Sequence, residues 1–437
     1  MFMLAGVLMR QRDRREGATM QVLYERCAGL DVHQKTVVAT VLVTATNGLV
    51  TKLTRTFGTM TAELLALDRW LDRWLEEQQV EQIALESTGV YWYPVYNLLE
   101  EGCIVVLVNP QHMKAVPGRK TDVKDSEWLA DLLRHGLLKA SFIPPRAIRE
   151  LRELTRYRKR LVQQRTQALN RLQKVLESAN IKVGTIATDL LGVSGRAMLE
   201  ALIADQQTPA QMAQLARGRM RHQIPVLCQA LEGRVSDHHR FLLRQILTLA
   251  DFLEQAIEQA IGQVQAQIER QLAPYAEALA LVQTIPGVGA TSAAAILAEI
   301  GVDMSRFPSA KHLASWAGLC PGNKQSGGKR LQAGTTPGNR WLRGVFGVVA
   351  WAVSHTKDNY LVAHFQRIAR RRGKFKAVIA LAHTVLVIIY HMLQDHRPYS
   401  DLGADYFDHL EAARIERYHV RRLEQLGYTV TLAPVVA

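Results

Sequence analysis

Five residues carry most of the chemistry this sequence offers: Asp31 in GLDVHQK, Glu86 in IALES, Asp122 and Asp125 in GRKTDVKDSEWLADLLRHGLL, and Ser326 in NKQSGGKR. Carboxylates are hard oxygen donors, and several brought together repel one another until a hard divalent cation neutralises them. Asp122 and Asp125 stand three residues apart, so a helix over this stretch puts both on one face. Alone, the pair reads as an N-terminal cap, because Asp satisfies first-turn N–H groups and complements the helix dipole. Asp31 and Glu86 add a second role, since each closes an apolar, strand-like run upstream. Four carboxylates at two strand ends and one helix start suit two Mg²⁺ (or Mn²⁺) ions about 4 Å apart, an arrangement that serves phosphoryl transfer. Arg119, Lys120 and Lys124 beside the Asp pair are candidates for guiding phosphate towards it.

Ser326 offers a nucleophile. Gly327 and Gly328 let the backbone approach a phosphate, and Lys324, Lys329 and Arg330 can neutralise it. A serine in a glycine-rich loop is as readily a linker residue, and no neighbouring His or Asp looks like its base. Ser292 reads as a cap or small packing residue, and Tyr91 and Tyr93 as packing aromatics that could also stack on bases.

The elements that must position these residues follow from periodicity. RCAGLDV, TVVATVLV and LVTKLTRTF read as three strands, and TAELLALDRWLDRWLEEQQ sets Leu64, Leu67, Trp70, Leu71 and Trp74 on one helical face. QIALES, a short helix near residues 95–100, CIVVLVN and the helix with Asp122 and Asp125 complete the order βββαβαβα. That order is the layout of an α/β ribonuclease-H-like (RuvC-like) domain, in which the first and fourth strands lie side by side. Residues 145–280 read as a long helical coiled coil. Leu154, Leu161, Ala168 and Val175 recur every seven residues, and Leu242, Ile246, Leu249, Leu253, Ile257, Ile261, Val264 and Ile268 follow three- and four-residue steps. The first arm carries Arg156, Arg158, Lys159, Arg160, Arg165, Arg171 and Lys174, either a solvated face or a phosphate-binding one. Residues 281–397 read as a mainly α domain. Its TIPGVGATSAAAILAEIG has the form of a helix-hairpin-helix, whose Gly287 and Gly289 would present N–H groups to phosphate, or of a packing turn.

The chain of 437 residues, 48% hydrophobic, is long enough for two or three cored domains. Its 54 Lys and Arg against 40 Asp and Glu leave a net charge of +14, which points to a polyanion such as nucleic acid. Cys27, Cys103, Cys228 and Cys320 are scattered, without the spacing of a disulfide framework or zinc site, as expected in a reducing cytoplasm. The opening MFMLAGVLMRQRDRREGATM places apolar residues before charges, the reverse of a secretory signal. AVIALAHTVLVIIYHML is short and contains two His, so it reads as a buried helix, with no membrane partner.

Together these motifs resemble the insertion-sequence transposases with a DEDD, RuvC-like N-terminal domain and a C-terminal transposase 20 domain, viewed as bridge-RNA-guided serine recombinases. The resemblance runs from about residue 20 to 393. It is carried by GLDVHQKTVVA, ALESTGVYWYPVYNLLE, NPQHMKAVPGRKTDVKDSEWLADLLRHGLL, TIPGVGATSAAAILAEIG, LASWAGLCPGNKQSGGKR and GNRWLR. It implies a metal-binding tetrad of Asp31, Glu86, Asp122 and Asp125, and Ser326 as the nucleophile that becomes joined to DNA. It also implies an acidic site of one subunit completed by the serine loop of another, a dimer that pairs into a tetramer, and a structured guide RNA. Residues 1–19 match no family motif, so Met20 is the expected functional start.

The expected organisation is therefore residues 1–19 as an extension, 20–144 RuvC-like, 145–280 coiled coil, 281–397 transposase 20 domain and 398–437 an uninformative tail. The expected function is a cytoplasmic, nucleoid-associated transposase that cuts and rejoins donor and target DNA. Two alternatives stand beside it: a metal-dependent nuclease of branched DNA, and a non-catalytic nucleic-acid-binding protein.

Overall fold

The computed structural model describes residues 21–45, 48–78, 80, 82–87, 89–109, 125–322, 324–326, 328–331, 334–410 and 412–432. The chain divides into two compact units, Met1–Ile143 and Pro144–Ala437. The extension expected before Met20 lies outside the described residues.

The first unit is a mixed five-stranded sheet in the order β3-β2-β1-β4-β5. Its strands are β1 (Arg26–Val32), β2 (Thr36–Thr44), β3 (Val50–Gly58), β4 (Gln82–Ser87) and β5 (Ile104–Val108). β1 lies at the centre, antiparallel to β2 and parallel to β4. Both of its faces are covered, which explains why RCAGLDV is nearly continuously apolar instead of alternating. Helices α1 (Thr61–Gln78) and α2 (Trp92–Leu99) cover one face, where Leu30, Val41, Leu67, Leu71, Ile83, Leu85 and Val95 form the larger core. Helix α3 (Asp125–Arg134) covers the other through Cys27, Leu42, Ala84, Val108, Leu129, Ala130 and Leu133. β3 is an edge strand, largely exposed and bearing Lys52 and Arg55, which discourages further strand pairing.

The second unit is helical apart from one small hairpin among its described residues. Its frame is α4 (Arg146–Ser178) packed along α5 (Asp237–Leu272). At 1.5 Å per residue each is about 50 Å long. Leu161 and Ala168 are buried as the heptads predict, and Leu253, Ile257 and Ile268 lie on the buried side of α5. In the first turns of α5 the buried row is instead Leu243, Leu247 and Ala250, while Leu249 is exposed. The cause is a group of short helices within residues 183–230, among them Val193–Ala204. Leu243 and Leu247 join Met198, Leu202 and Leu227 in their core.

Beyond α5 come α6 (Ala276–Gln283), α7 (Ala290–Ile300), α8 (Ala310–Trp316), the hairpin of β6 (Lys324–Ser326) and β7 (Lys329–Leu331), α9 (Arg340–Val353), α10 (Tyr360–Arg372) and α11 (Lys374–Asp395). α11 is long and apolar enough to cross a membrane by composition. It packs against α8, α9 and α10 and buries Ala377, Leu381, Val385, Leu386 and Ile389, as a core helix does. The tail, without signal in the sequence, forms α12 (Tyr406–Leu410) and α13 (Ala412–Gln425), and Phe407 stacks on Tyr360 at a centroid distance of 5.4 Å.

Candidate active site

Asp31 and Glu86 are register partners across the parallel β1–β4 ladder, each one residue from its strand's end. Paired residues of neighbouring strands project from the same face, so the two carboxylates stand side by side. The face is fixed by Gly29, two residues earlier and therefore on the same side as Asp31. A Cβ at Gly29 would lie 2.2 Å from the Ser126 carbonyl oxygen and 2.5 Å from the Ala130 nitrogen, so α3 rests directly on β1 at this point.

α3 runs antiparallel to β1. The Leu23 N–H donates to the Arg134 carbonyl at 2.9 Å, the Cys27 thiol donates to the Ala130 carbonyl at 3.3 Å, and Gly29 meets Ser126. The N-terminal end of α3, with Asp125, thus lies towards the strand end that carries Asp31 and Glu86. Two polar contacts lock that first turn to the sheet. Ser126 Oγ hydrogen-bonds Thr40 Oγ1 at 2.9 Å, Thr40 Oγ1 in turn meets Thr54 Oγ1 at 2.9 Å, and Lys52 Nζ donates to Glu127 Oε1 at 2.6 Å. Burial pushes the Cys27 thiol up to about 12, so beneath α3 it is a packing group and not a reactive thiolate.

Asp122, Arg119, Lys120 and Lys124 lie outside the described residues. Among the described residues no three His, Cys, Asp or Glu side chains close on a metal-sized point. The carboxylates that the sheet and α3 bring to this end, Asp31, Glu86 and Asp125, are hard oxygen donors, a set that fits a hard divalent cation and not a thiophilic one. His33 was not singled out from sequence. Its Nε2 donates to Asp31 Oδ2 at 3.1 Å, while the Asp31 side chain is only 15% exposed. Strand alternation was the available signal, since His33 is two residues beyond Asp31.

Ser326 ends β6 as the register partner of Lys329 in β7. The sequence suggests a loop here, but the segment is a tight antiparallel hairpin. Gly328 in its turn has φ +75°, a conformation an L side chain resists. At the PGVG turn, Gly287 has φ +84° and its missing Cβ would lie 2.9 Å from the Val353 nitrogen, so this glycine is a packing residue. Gly289 faces open space and is the N-cap of α7, which leaves Ser292 in the first turn and not at the cap. Tyr93 stacks on Trp92 at 3.9 Å, whereas Tyr91 is exposed.

The cations of α4 divide into committed and uncommitted. Arg156 grips both oxygens of buried Glu299 at 2.7 and 2.8 Å, and Asn339, the N-cap of α9, donates to the same carboxylate at 2.6 Å. Arg165 is paired with Glu254 at 2.8 Å across α4 and α5. Lys159 is half-buried, which pulls its ammonium below the ordinary lysine range against the opposing pull of Glu299. Its Nζ donates to the Trp341 carbonyl at 3.3 Å, and the Arg160 and Arg340 guanidinium groups lie 5.5 and 5.1 Å from the Trp341 ring centre. Of the expected phosphate contacts on α4, Arg160 is exposed, whereas Arg158 and Lys159 are largely covered; Arg340 beside the same ring, not singled out by the sequence, is exposed too.

Comparison with known proteins decides the family. A DEDD model of IS110, described as "Transposase", matches residues 28–181, and the model described as "Transposase IS116/IS110/IS902 family" matches residues 279–366. The chain belongs to the IS110/IS116 transposase family. The transposase for insertion sequence element IS1111A of Coxiella burnetii is 24% identical over 326 residues, 72% of this chain and 79% of that protein. The insertion element IS116 uncharacterized 44.8 kDa protein of Streptomyces clavuligerus is 26% identical over 341 residues, 67% of this chain and 79% of its own. The pilin gene-inverting protein of Moraxella bovis is 37% identical over 127 residues, 27% of this chain and 38% of that protein. The first family match contains Asp31, Glu86 and Asp125, and the second contains Ser326.

Proposed function

We propose that this transposase-family chain is a metal-dependent DNA recombinase that cuts and rejoins donor and target strands through Ser326. The observation that carries the reading is the in-register pair Asp31 and Glu86 beneath the start of α3. Strand order 3-2-1-4-5 with helices on both faces supports a ribonuclease-H-like fold, and the family supports a DNA substrate. The gene-inverting relative supports rejoining of strands over simple hydrolysis.

Asp31, Glu86, Asp125 and, by sequence, Asp122 would hold Mg²⁺ or Mn²⁺. When bound, the cation supplies positive charge to the phosphate under attack. His33 orients the Asp31 carboxylate through its hydrogen bond. Ser326 Oγ attacks phosphorus, one Oγ–P bond forms as one bridging P–O bond breaks, and the serine proton passes to the leaving oxygen. Attack by a hydroxyl of another strand reverses the exchange, so the number of phosphodiester bonds is conserved. Lys329, opposite Ser326 in the hairpin, together with Lys324 and Arg330, balances the phosphate charge. Completion of the acidic site by the serine hairpin of a second subunit, in a dimer that pairs into a tetramer with a structured guide RNA, follows from the family resemblance.

The test is strand rejoining between donor and target DNA, with RNA transcribed from the DNA flanking the gene. Glu86→Gln and Asp125→Asn lose rejoining by about a hundredfold or more, the scale on which removal of a group stabilising transition-state charge acts. Chelation of divalent cations abolishes it. Rejoining by both variants at the wild-type rate would contradict the proposal.

A further inference from the structure

The turn from α10 to α11 reads Arg370-Arg371-Arg372-Gly373-Lys374-Phe375-Lys376, and each of these residues is exposed. Phe375 is 94% exposed. A lone exposed apolar residue is ordinary. Its setting is not, because no carboxylate occurs between Asp358 and Asp395. Among the described residues none of the five cations is held in an ion pair.

Helix stability accounts for only part of this charge. Arg370, Arg371 and Arg372 occupy the last turn of α10, where cations complement the negative end of the dipole. Lys374 and Lys376 occupy the first turn of the 22-residue α11, where the same rule opposes them. The N-cap there is Gly373 at φ +84°, which supplies no side-chain acceptor to the first-turn N–H groups. An external anion would satisfy both lysines and those groups.

We propose that this turn engages single-stranded DNA, with Phe375 stacking on one unpaired base while Lys374, Lys376 and the three arginines bind the adjoining phosphates. Bases within a duplex already have both faces stacked, so a single exposed ring on a rigid helix start finds its partner where a strand has opened. A membrane surface fits less well, because the apolar residues that follow in α11, beginning with Ala377 and Leu381, are buried in the unit's own core and leave one ring to insert. The segment lies beyond the matched residues 279–366 and outside both the acidic end of the sheet and the serine hairpin. The proposal rests on the DNA substrate argued above and adds a contact for the opened strand.

The test is fluorescence anisotropy of the full chain with a labelled oligothymidine. Phe375→Ala weakens binding by about tenfold, the scale of one lost base–aromatic stack. Phe375→Trp retains the affinity, and its emission is quenched as the oligonucleotide is added. Lys374→Gln with Lys376→Gln lowers the slope of log affinity against log salt by about 1.4, two phosphate contacts on a single strand. Thermal unfolding of Phe375→Ala matches wild type, since the ring lies outside the core. Unchanged oligothymidine binding by Phe375→Ala overturns the proposal, as does a loss confined to duplex DNA, hairpin RNA or vesicles of phosphatidylcholine and phosphatidylserine. Binding read this way needs neither metal nor cleavage. A chain that binds but never rejoins strands contradicts the recombinase reading alone, and one that rejoins strands while Phe375→Ala binds normally contradicts this proposal alone.

Discussion

Gly29 and Ser126 touch so closely that a methyl group on the glycine would lie 2.2 Å from the serine carbonyl oxygen. The atoms it would strike belong to the backbone of α3 and cannot rotate away. Gly29→Ala therefore pushes α3 off β1 and costs about 1–3 kcal/mol, the range for an inserted methyl in a packed core. Urea unfolding reads that loss as a lowered midpoint. Because Asp125 moves with α3, strand rejoining falls further than the unfolded fraction explains.

Glu299 is 2% exposed and joins three elements, accepting from Arg156 of α4 and from Asn339 at the start of α9 while itself lying on α7. Glu299→Ala leaves the partly buried Arg156 and Arg152 without their carboxylate, at a cost of about 3 kcal/mol. Glu299→Gln keeps an acceptor and costs less. Thermal unfolding of the two variants should rank them in that order, and equal melting temperatures would show that packing alone holds α9.

Arg196, on the helix Val193–Ala204, forks onto both oxygens of Asp251 in α5, one of them at 2.6 Å. This hydrogen bonding holds the Asp251 carboxyl below the usual carboxylate range. A carboxylate with a lowered folded pKa adds stability above its unfolded pKa of about 3.9, and that stability is lost as pH falls through the folded value. The gap in urea midpoint between wild type and Asp251→Asn should hold steady above about pH 5 and close below about pH 4. The pair is partly solvated, so the gap corresponds to about 1 kcal/mol or less. A gap that widens on acidification would contradict the assignment.

Much of the first unit was legible because the physics of each strand is local. RCAGLDV is a strand at the quoted bounds because a central strand buried on both faces needs a continuous apolar run. Asp31 and Glu86 were legible as strand ends, but their register and the seating of α3 on Gly29 depend on packing across the sheet. The row Leu242, Ile246, Leu249 is offset from the buried row Leu243, Leu247, Ala250 for a similar reason, since the short helices of residues 183–230 decide which side of α5 is covered; Ile246 still packs against their core while Leu249 is exposed. The hairpin at Ser326 was hidden because three-residue strands, Lys-Gln-Ser and Lys-Arg-Leu, are too short and polar to leave an alternation to detect. The Trp341 cluster joins residues some 180 apart in sequence, a separation no local pattern spans.

The most direct measurement asks where the severed strand is held. The chain is incubated with Mg²⁺, the flanking RNA and end-labelled donor DNA, and the products are separated under denaturing conditions. The account predicts a covalent protein–DNA species whose linked peptide contains Ser326, absent in Ser326→Ala and in Asp31→Asn. Cleavage by Ser326→Ala at the wild-type rate, with no covalent species from either protein, would contradict it and assign the attack to water.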